Sequence, residues 1–185
     1  LLREKNRQEK ADATDTPELI RQSLADSIMF LQTQLKKLRQ DIDDHINRHP
    51  ELRDDAALLI TIPGVGIKTS QHLLSVIHPH HFHTAERLAA YLGVVPIQRQ
   101  SGSSVLGRPK LSKTGPSHIR AVLYMAAVVA SRHNPHVKAL YERLIASGKS
   151  KMSALGAAMR KLVHLCFGVI KNRQPYNKNY SQESC

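Results

Sequence analysis

The clearest hydrophobic pattern in the first third of the chain is a heptad repeat within residues 18–49. Its apolar positions are separated alternately by four and three residues, and Gln, Lys, Arg and Asp surround them. The members of this stripe are Leu24, Ile28, Leu31, Leu35, Leu38 and Ile42. A stripe this narrow is typical of a coiled coil, whereas a wider apolar face would indicate a helix packed on its own domain. We therefore expect residues 1–50 to form a helical arm that associates two or more chains, with internal packing as the alternative.

A second pattern lies at residues 58–74, which read LLITIPGVGIKTSQHLL. Two apolar helical segments flank a Pro-Gly-Val-Gly turn, which is the pattern of a helix-hairpin-helix. Gly64 and Gly66 would let a partner approach the backbone closely. The second helix, opened by Lys68 and Thr69, would present free N–H groups and the positive end of its dipole to an anion such as a DNA phosphate. The alternative is a plain αα-hairpin in which the Pro-Gly turn only reverses the chain.

Further helices are predicted after this hairpin. Thr84 resembles an N-cap, and Gly93 stands where a helix commonly ends. Apolar residues at helical spacing predict one helix over residues 117–133, another that begins at Pro135 and ends at Gly148, and a third over residues 151–169. We therefore predict an all-α fold: a coiled-coil arm (1–50), a helix-hairpin-helix-containing domain (51–172) and a frayed polar tail (173–185).

Four histidines occur between residues 78 and 83. Imidazole is a good zinc ligand, but no cysteine lies nearby, acidic residues are scarce and the spacing matches no metal motif. We expect a loop whose histidines face solvent or nucleic acid, and we assign no metal site to the chain.

Residues 94–114 read VVPIQRQSGSSVLGRPKLSKT and contain no acidic residue. Glycines and prolines predict an irregular loop or hairpin, and four cations make it basic: Arg99, Arg108, Lys110 and Lys113. One interpretation is a flexible loop that touches DNA. The other is that one of the three serines at its centre, Ser101, Ser103 or Ser104, is a nucleophile toward phosphate, with arginines stabilising the developing charge. Arg120, in the first turns of the next helix, is a further candidate for phosphate binding.

Charge is distributed unevenly along the chain. The whole chain carries +12, but residues 58–185 hold 17 basic and 3 acidic residues (+14), whereas residues 1–57 carry −2. This block favours a nucleic-acid surface. No apolar run looks long enough to span a bilayer and no signal peptide is recognised, so we expect no membrane partner. Cys166 and Cys185 form no disulfide framework and fit a cytoplasmic location. Because aromatic residues are few, double-stranded DNA is the expected partner.

From Leu58 through Lys171 the chain resembles the carboxyl-terminal domain of insertion-sequence-110 family transposases, which are similar to the Piv DNA invertase. The matching segments are LLITIPGVG, FHTAERLAAYLGVVP, RQSGSSVLGRPKLSKTGPSHIRAVLYMAA and RHNPHVKALYERLIASGKSKMSALGAAMRKL. In that family a RuvC-like domain with four acidic metal ligands precedes a coiled coil. The carboxyl-terminal domain supplies a serine, in a Ser-Gly dipeptide, that attacks the DNA strand. A structured RNA guides some members.

The resemblance implies that Ser101, followed by Gly102, is the catalytic nucleophile. It also implies that a divalent metal such as Mg²⁺ would be held by a RuvC-like domain that this chain lacks, so no cofactor is expected here. We expect a fragment of a DNA transposase or recombinase that binds DNA, and structured guide RNA in some members, with little cleavage activity by itself. The alternative is a non-catalytic helix-hairpin-helix DNA-binding module. The candidate nucleic-acid-binding residues are Gly64, Gly66, Lys68, Thr69, Arg99, Gly102, Arg108, Lys110, Lys113 and Arg120.

Overall fold

The fold is described from a computed structural model, which covers residues 1–97, 100–101, 105–106 and 110–179, with residues 100–101 and 105–106 described by their backbone. Within these residues the chain is almost entirely helical, which confirms the predicted all-α class. The helices are α1 (Leu2–Asp12), α2 (Glu18–Arg48), α3 (Pro50–Ile60), α4 (Ile67–His80), α5 (Ala85–Tyr91), α6 (Ser117–His133), α7 (Pro135–Ala146) and α8 (Lys151–Asn172). Contacts divide the chain into a first unit, residues 1–53, and a second unit, residues 54–185.

The first unit is a helical hairpin in which α1 folds back along α2. Ala11 of α1 and Ile28 of α2 are buried, and Arg21 donates a hydrogen bond to the carbonyl oxygen of Thr14 across the turn. Along the heptad stripe, burial decreases toward the carboxyl end, where Leu38 and Ile42 are 58% and 48% exposed. The chain's own α1 therefore covers part of the stripe, and association of chains through the remainder stays a prediction.

The second unit is built around α8, which packs against α5, α6 and α7, while α4 packs on α6. Small residues permit close approach of these helices, because Ala126, Ala127 and Ala130 of α6 and Ala158 of α8 lie in the core. The large, fully buried side chains of this core are Leu59, Ile62, Leu73, Leu88, Leu92, Ile119, Leu123 and Leu162.

The segment between α5 and α6 contains four short strands that pair in antiparallel fashion. Strand β1 (Pro96–Ile97) pairs with β4 (Lys110–Leu111), and β2 (Gln100–Ser101) pairs with β3 (Val105–Leu106). Of the two forms that the sequence allowed for this segment, a loop or a hairpin, the described residues show a hairpin.

The structure confirms several helix ends that the sequence predicted. The hydroxyl of Thr84 accepts a hydrogen bond from the backbone N–H of Arg87, and Gly93 follows α5 with φ +69°. Helix α6 has the predicted bounds, and α7 begins at Pro135.

Two sequence expectations differ from the structure. His78 and His80 belong to the last turn of α4 and not to a loop, since Pro79 in the final turn removes only one hydrogen-bond donor. The first residues of the predicted frayed tail (173–185) are held in place, because Arg173 bonds Asp55 and the backbone N–H of Tyr176 donates to Thr61. Long-range contacts of this kind leave no periodic signal in a sequence.

Helix α8 also differs from the expectation that no segment is long enough to cross a membrane. Among the described residues it is the one helix whose length and composition meet those limits, over 22 residues. Its apolar face is broad because it contacts three other helices, and it buries eight residues of the unit's core: Ala154, Gly156, Ala158, Met159, Leu162, Val163, Cys166 and Val169. The apolar character of α8 is therefore explained by its central place in the second unit.

Candidate nucleic-acid interface

The turn between α3 and α4 uses its two glycines differently. Gly64 has φ +100°, and a Cβ atom there would lie 2.7 Å from the Cβ of Ala130 on α6. Gly64 is therefore required for packing and for a backbone conformation that other residues rarely adopt. Gly66 has extended backbone (φ −101°, ψ 178°), and a Cβ atom on it would meet nothing within 4 Å. Gly66 is thus the position at which this turn is open to a partner.

The first turn of α4 follows this open position. Gly66 is the N-cap and has no side chain to bond the N–H groups of Ile67, Lys68 and Thr69, which have no acceptor within the helix. Lys68 and Ile67 are exposed, whereas the side chain of Thr69 is buried. The predicted contribution of Thr69 is therefore limited to its backbone N–H.

Side chains from distant parts of the chain hold this turn in place. Asn134 is fully buried; its Oδ1 accepts hydrogen bonds from the N–H groups of His136 and Val137, and its Nδ2 lies 3.4 Å from the carbonyl oxygen of Pro63. The hydroxyl of Tyr176 donates to the same Oδ1, and the backbone N–H of Tyr176 donates to Thr61. The turn, the start of α7 and the segment after α8 therefore form one hydrogen-bonded assembly.

A buried ion pair fixes α3 in the same region. Asp55 is 1% exposed, and its carboxylate bonds Arg173 through one oxygen and lies 2.9 Å from the Nε2 of His78 through the other. Removing one partner from such a group is costly, because an uncompensated buried charge remains. His78, which the sequence placed in a loop, is therefore a structural partner of Asp55.

The base of the hairpin is held against α5 by a close crossing of two backbone segments. A Cβ atom on Gly93 would lie 2.0 Å from the carbonyl oxygen of Thr114, and one on Gly115 would lie 1.9 Å from that of Tyr91. The Nη1 of Arg120 donates to the carbonyl oxygens of Thr114 and Gly115, at 2.9 Å and 2.8 Å. Part of the Arg120 guanidinium therefore fixes the chain after the hairpin, and binding of phosphate by its other donors stays a prediction.

Ser101 is the last residue of β2, and its backbone pairs with Val105 of β3. It therefore lies at the end of β2, directly before the three residues that connect β2 to β3 in the sequence. Arg99, Gly102 and Arg108, together with Ser103 and Ser104, lie outside the described residues.

A cleft runs beside the base of the hairpin, between the hairpin, α7 and α8, and we call it the α7–α8 groove. Its volume is about 670 Å³. Five cations lie along it: Lys110, Lys113, Lys149, Arg160 and Lys161. Its apolar lining comes from Val94, Leu111, Leu140, Leu144, Met152 and Ala157, and none of the described residues that line it carries a carboxylate. Lys110 and Lys113, which sequence reasoning selected, are thus joined by three cations that it missed, because those come from α8 and the turn before it.

Two histidines near these cations favour the neutral state. Burial lowers the pKa of His164, and Arg160 and Lys161 lower it further, whereas the carboxylate of Glu86 acts in the opposite direction. The pKa of His136 is lowered by burial and by Lys161. The Nε2 of His164 is buried and has no hydrogen-bond partner in the described part of the chain. Near neutral pH, the positive charge along the groove therefore comes from Lys and Arg.

The described residues do not bring three His, Cys, Asp or Glu side chains together as a metal site.

The comparisons with known proteins agree with the pattern of the turn, the hairpin and the following helices. The model of the transposase family IS116/IS110/IS902 matches residues 56–142. The chain belongs to this family. A pilin gene-inverting protein of Moraxella lacunata is 34% identical over 180 residues, which are 96% of this chain and 54% of that protein. A protein of insertion element IS110 of Streptomyces coelicolor is 27% identical, over 86% of this chain and 38% of that protein.

A third relative is the transposase of insertion sequence element IS1111A of Coxiella burnetii. It is 26% identical over 142 residues, which are 74% of this chain and 38% of that protein. The chain therefore spans about half the length, or less, of the curated relatives that it matches.

Proposed function

We propose that this chain is the DNA-binding, serine-bearing part of a transposase that rearranges DNA. Family membership and the names of the relatives, which invert a pilin gene or belong to insertion elements, support DNA as the partner. The observation that carries the proposal is the open first turn of α4, where Gly66 leaves the backbone uncovered beside the exposed Lys68.

Duplex DNA binds this turn through phosphate. The N–H groups after Gly66 point along the helix axis toward an anion, and the helix dipole and the Lys68 ammonium both favour negative charge there. The contact is to the DNA backbone, so it positions a duplex without reading its sequence. Gly64 supports this contact indirectly, since it seats the turn against α6.

The test compares Gly66→Ser with the parent chain in fluorescence anisotropy with a duplex oligonucleotide. Serine is as good an N-cap as glycine or better, so α4 remains stable while the new Cβ atom blocks approach of the phosphate. We expect affinity to fall about tenfold, which corresponds to about 1.4 kcal/mol. Lys68→Gln should lower affinity further, whereas Lys138→Gln, which removes an exposed cation of α7, serves as the matched control. Unchanged affinity of the Gly66→Ser variant would leave the turn a purely structural feature.

Ser101 is proposed as the nucleophile of the intact enzyme. Its hydroxyl oxygen would form a bond to phosphorus, its proton would pass to a base, and the displaced DNA oxygen would leave and be protonated. The proposal is supported by the Ser-Gly match to the family, by the place of Ser101 at the end of β2 and by the basic residues of the same segment. The divalent metal that the family resemblance implies would belong to a RuvC-like domain, and the described residues of this chain offer it no ligand set.

This assignment is tested in a full-length transposase that contains the metal-binding domain. Ser101→Ala should abolish both recombination and the covalent protein–DNA adduct, while DNA affinity changes by no more than a few-fold, because one lost hydroxyl contributes about 1 kcal/mol. Ser103→Ala and Ser104→Ala are the matched controls and should remain active. Mass spectrometry of the adduct on nicked substrate locates the phosphoserine. A phosphoserine at residue 103 or 104 would move the assignment, and an active enzyme without an adduct would leave the chain as a non-catalytic DNA-binding module.

A structured guide RNA is a further proposed partner, because the cations of the second unit offer the same contacts to RNA phosphates. The test is competition of a structured RNA against duplex DNA by anisotropy. Displacement of the duplex with the same salt dependence would support a shared surface, and simultaneous binding would indicate separate surfaces.

A further inference from the structure

The α7–α8 groove differs from the turn at α4 in combining an apolar floor with a cationic rim. Its floor is aliphatic and its rim carries Lys110, Lys113, Lys149, Arg160 and Lys161. A duplex turns its phosphates outward and keeps its base faces stacked inside, so it would satisfy the rim but leave the floor empty. An unpaired strand presents both phosphates and apolar base faces. Proteins commonly stack such bases on aromatic rings, whereas the described lining of this groove would cover them with aliphatic side chains.

We propose that the α7–α8 groove holds an unpaired segment of a polynucleotide strand, DNA or RNA, with its phosphates along the lysines and its bases on the aliphatic floor. The proposal rests on the proposed function and extends it, since it assigns a second surface with a different nucleic-acid form. The volume of about 670 Å³ lies in the range of pockets that bury small ligands, so the groove has room for one or two nucleotides.

Three observations support this occupant. None of the described lining residues carries a carboxylate, and the nearby carboxylate of Glu86 interacts with Arg160 and lies 3.9 Å from His164, so the described lining keeps an excess of positive charge. His164 lines the groove, and its buried Nε2 has no hydrogen-bond partner among the described residues, so a polar side chain of this wall is left unsatisfied. Residues of β1 and β4 form one wall, so a strand in the groove would lie beside the hairpin that carries Ser101.

Met152 is the position at which the apolar contact is best tested. It lines the groove in the first turn of α8 and is 65% exposed, so Met152→Glu puts a carboxylate at the floor without disturbing the core. A carboxylate in the first turn of a helix is favourable for the helix itself, so the variant should fold normally. Met125 of α6 is 62% exposed and does not line the groove, which makes Met125→Glu the matched control.

The experiment measures binding of the full chain to an oligo-dT, an oligo-rU and a duplex oligonucleotide of equal length by fluorescence anisotropy. Met152→Glu should weaken binding of the single strands about tenfold, through repulsion of phosphate and loss of apolar contact, and should leave duplex binding within about twofold. Met125→Glu should leave single-strand binding unchanged. A loss confined to oligo-dT would identify DNA as the occupant, and a loss confined to oligo-rU would identify RNA.

A second variant tests the rim. The double change Lys149→Gln and Lys161→Gln should lower the salt dependence of single-strand binding by about 1.4 in the slope of log affinity against log salt, because each phosphate contact contributes about 0.7. Lys171→Gln, at the far end of α8, is the control and should leave the slope unchanged.

Several outcomes would overturn the proposal. These are equal losses for single strands and duplex with Met152→Glu, equal losses with Met125→Glu, no loss at all, or displacement of oligo-dT by poly-glutamate as effectively as by unlabelled oligo-dT. None of these outcomes tests the proposed duplex contact at the α4 turn. Failure of that binding is recognised separately, by the unchanged duplex affinity of Gly66→Ser.

Discussion

At the scale of single residues, the two glycines of the α3–α4 turn separate folding from binding. Gly64 has a positive φ and contacts Ala130, whereas Gly66 has ordinary extended backbone and open space around it. Sequence reasoning assigned both glycines to phosphate binding, because the Pro-Gly-Val-Gly pattern does not reveal which glycine faces the protein.

We predict that Gly64→Ala destabilises the second unit by about 1–3 kcal/mol, since the substitution combines backbone strain with a clash against α6. Gly66→Ala, with neither penalty, is the matched control. Thermal denaturation followed by circular dichroism measures both variants. Adding Ala130→Gly to Gly64→Ala should recover part of the loss by relieving the clash, and equal stability of the two single variants would contradict the distinct role of Gly64.

Residue-level prediction from sequence succeeded where the signal is local. Thr84 and Gly93 were identified because a cap and a helix end depend on neighbours within a few positions. Asn134, Asp55 and Tyr176 were missed, because each has a partner far away in the sequence. The contact Asn134–Pro63 spans 71 positions, Tyr176–Thr61 spans 115 and Arg173–Asp55 spans 118. No periodicity links such pairs.

At the scale of elements, the heptad stripe of α2 is covered over part of its length. Leu24 and Leu31 are half-buried and Ile28 is buried in the hairpin with α1, while Leu38 and Ile42 remain exposed. The sequence predicted a long helix here, which the structure shows, but not that α1 of the same chain would contact α2. The prediction of association therefore concerns the exposed end of the stripe.

We predict that replacing both Leu38 and Ile42 with Lys shifts the molar mass toward that of the monomer, because charged residues at seam positions oppose burial. Multi-angle light scattering measures the mass. The control replaces Met29 and Phe30 with Lys, since these residues are 64% and 61% exposed and lie off the stripe. A double Leu38 and Ile42 variant with unchanged mass would show that the stripe serves only the hairpin within one chain.

Elements of the candidate site were predictable to different degrees. The basic, acid-free composition of residues 94–114 selected Lys110 and Lys113, which line the α7–α8 groove, and their binding of nucleic acid stays a prediction. The groove itself was not predicted, since Lys149, Arg160 and Lys161 come from a segment that the sequence presents as an ordinary amphipathic helix. A groove forms only where the tertiary fold brings α7, α8 and the hairpin together.

At the scale of the whole molecule, charge separates the chain into two parts with different properties. Residues 58–185 carry +14 and residues 1–57 carry −2, a division that nearly coincides with the boundary between the first and second units. Among the described acidic residues of the second unit, Asp55 is buried in ion pairs, Glu86 lies 3.9 Å from His164 and Glu142 lies 3.9 Å from Lys138. Basic residues therefore outnumber acidic residues widely in this part of the chain.

The last prediction is that duplex binding depends steeply on salt and that the dependence arises in the second unit. Each phosphate neutralised contributes about 0.9 to the slope of log affinity against log salt, because binding releases condensed counterions. Replacing Lys68 and Arg132 with Gln removes two exposed cations, one beside the open turn and one just after Ala130, so the slope should fall by about 1.8. Lys36 and Lys37 are exposed on α2 in the first unit, and the corresponding double change there removes the same charge. If binding depended on net charge alone, the two double variants would lose the same slope. If the phosphate contacts lie in the second unit, only the first variant loses slope. Anisotropy titrations between about 50 and 200 mM salt distinguish these outcomes, and equal slopes for both variants would exclude a localised interface.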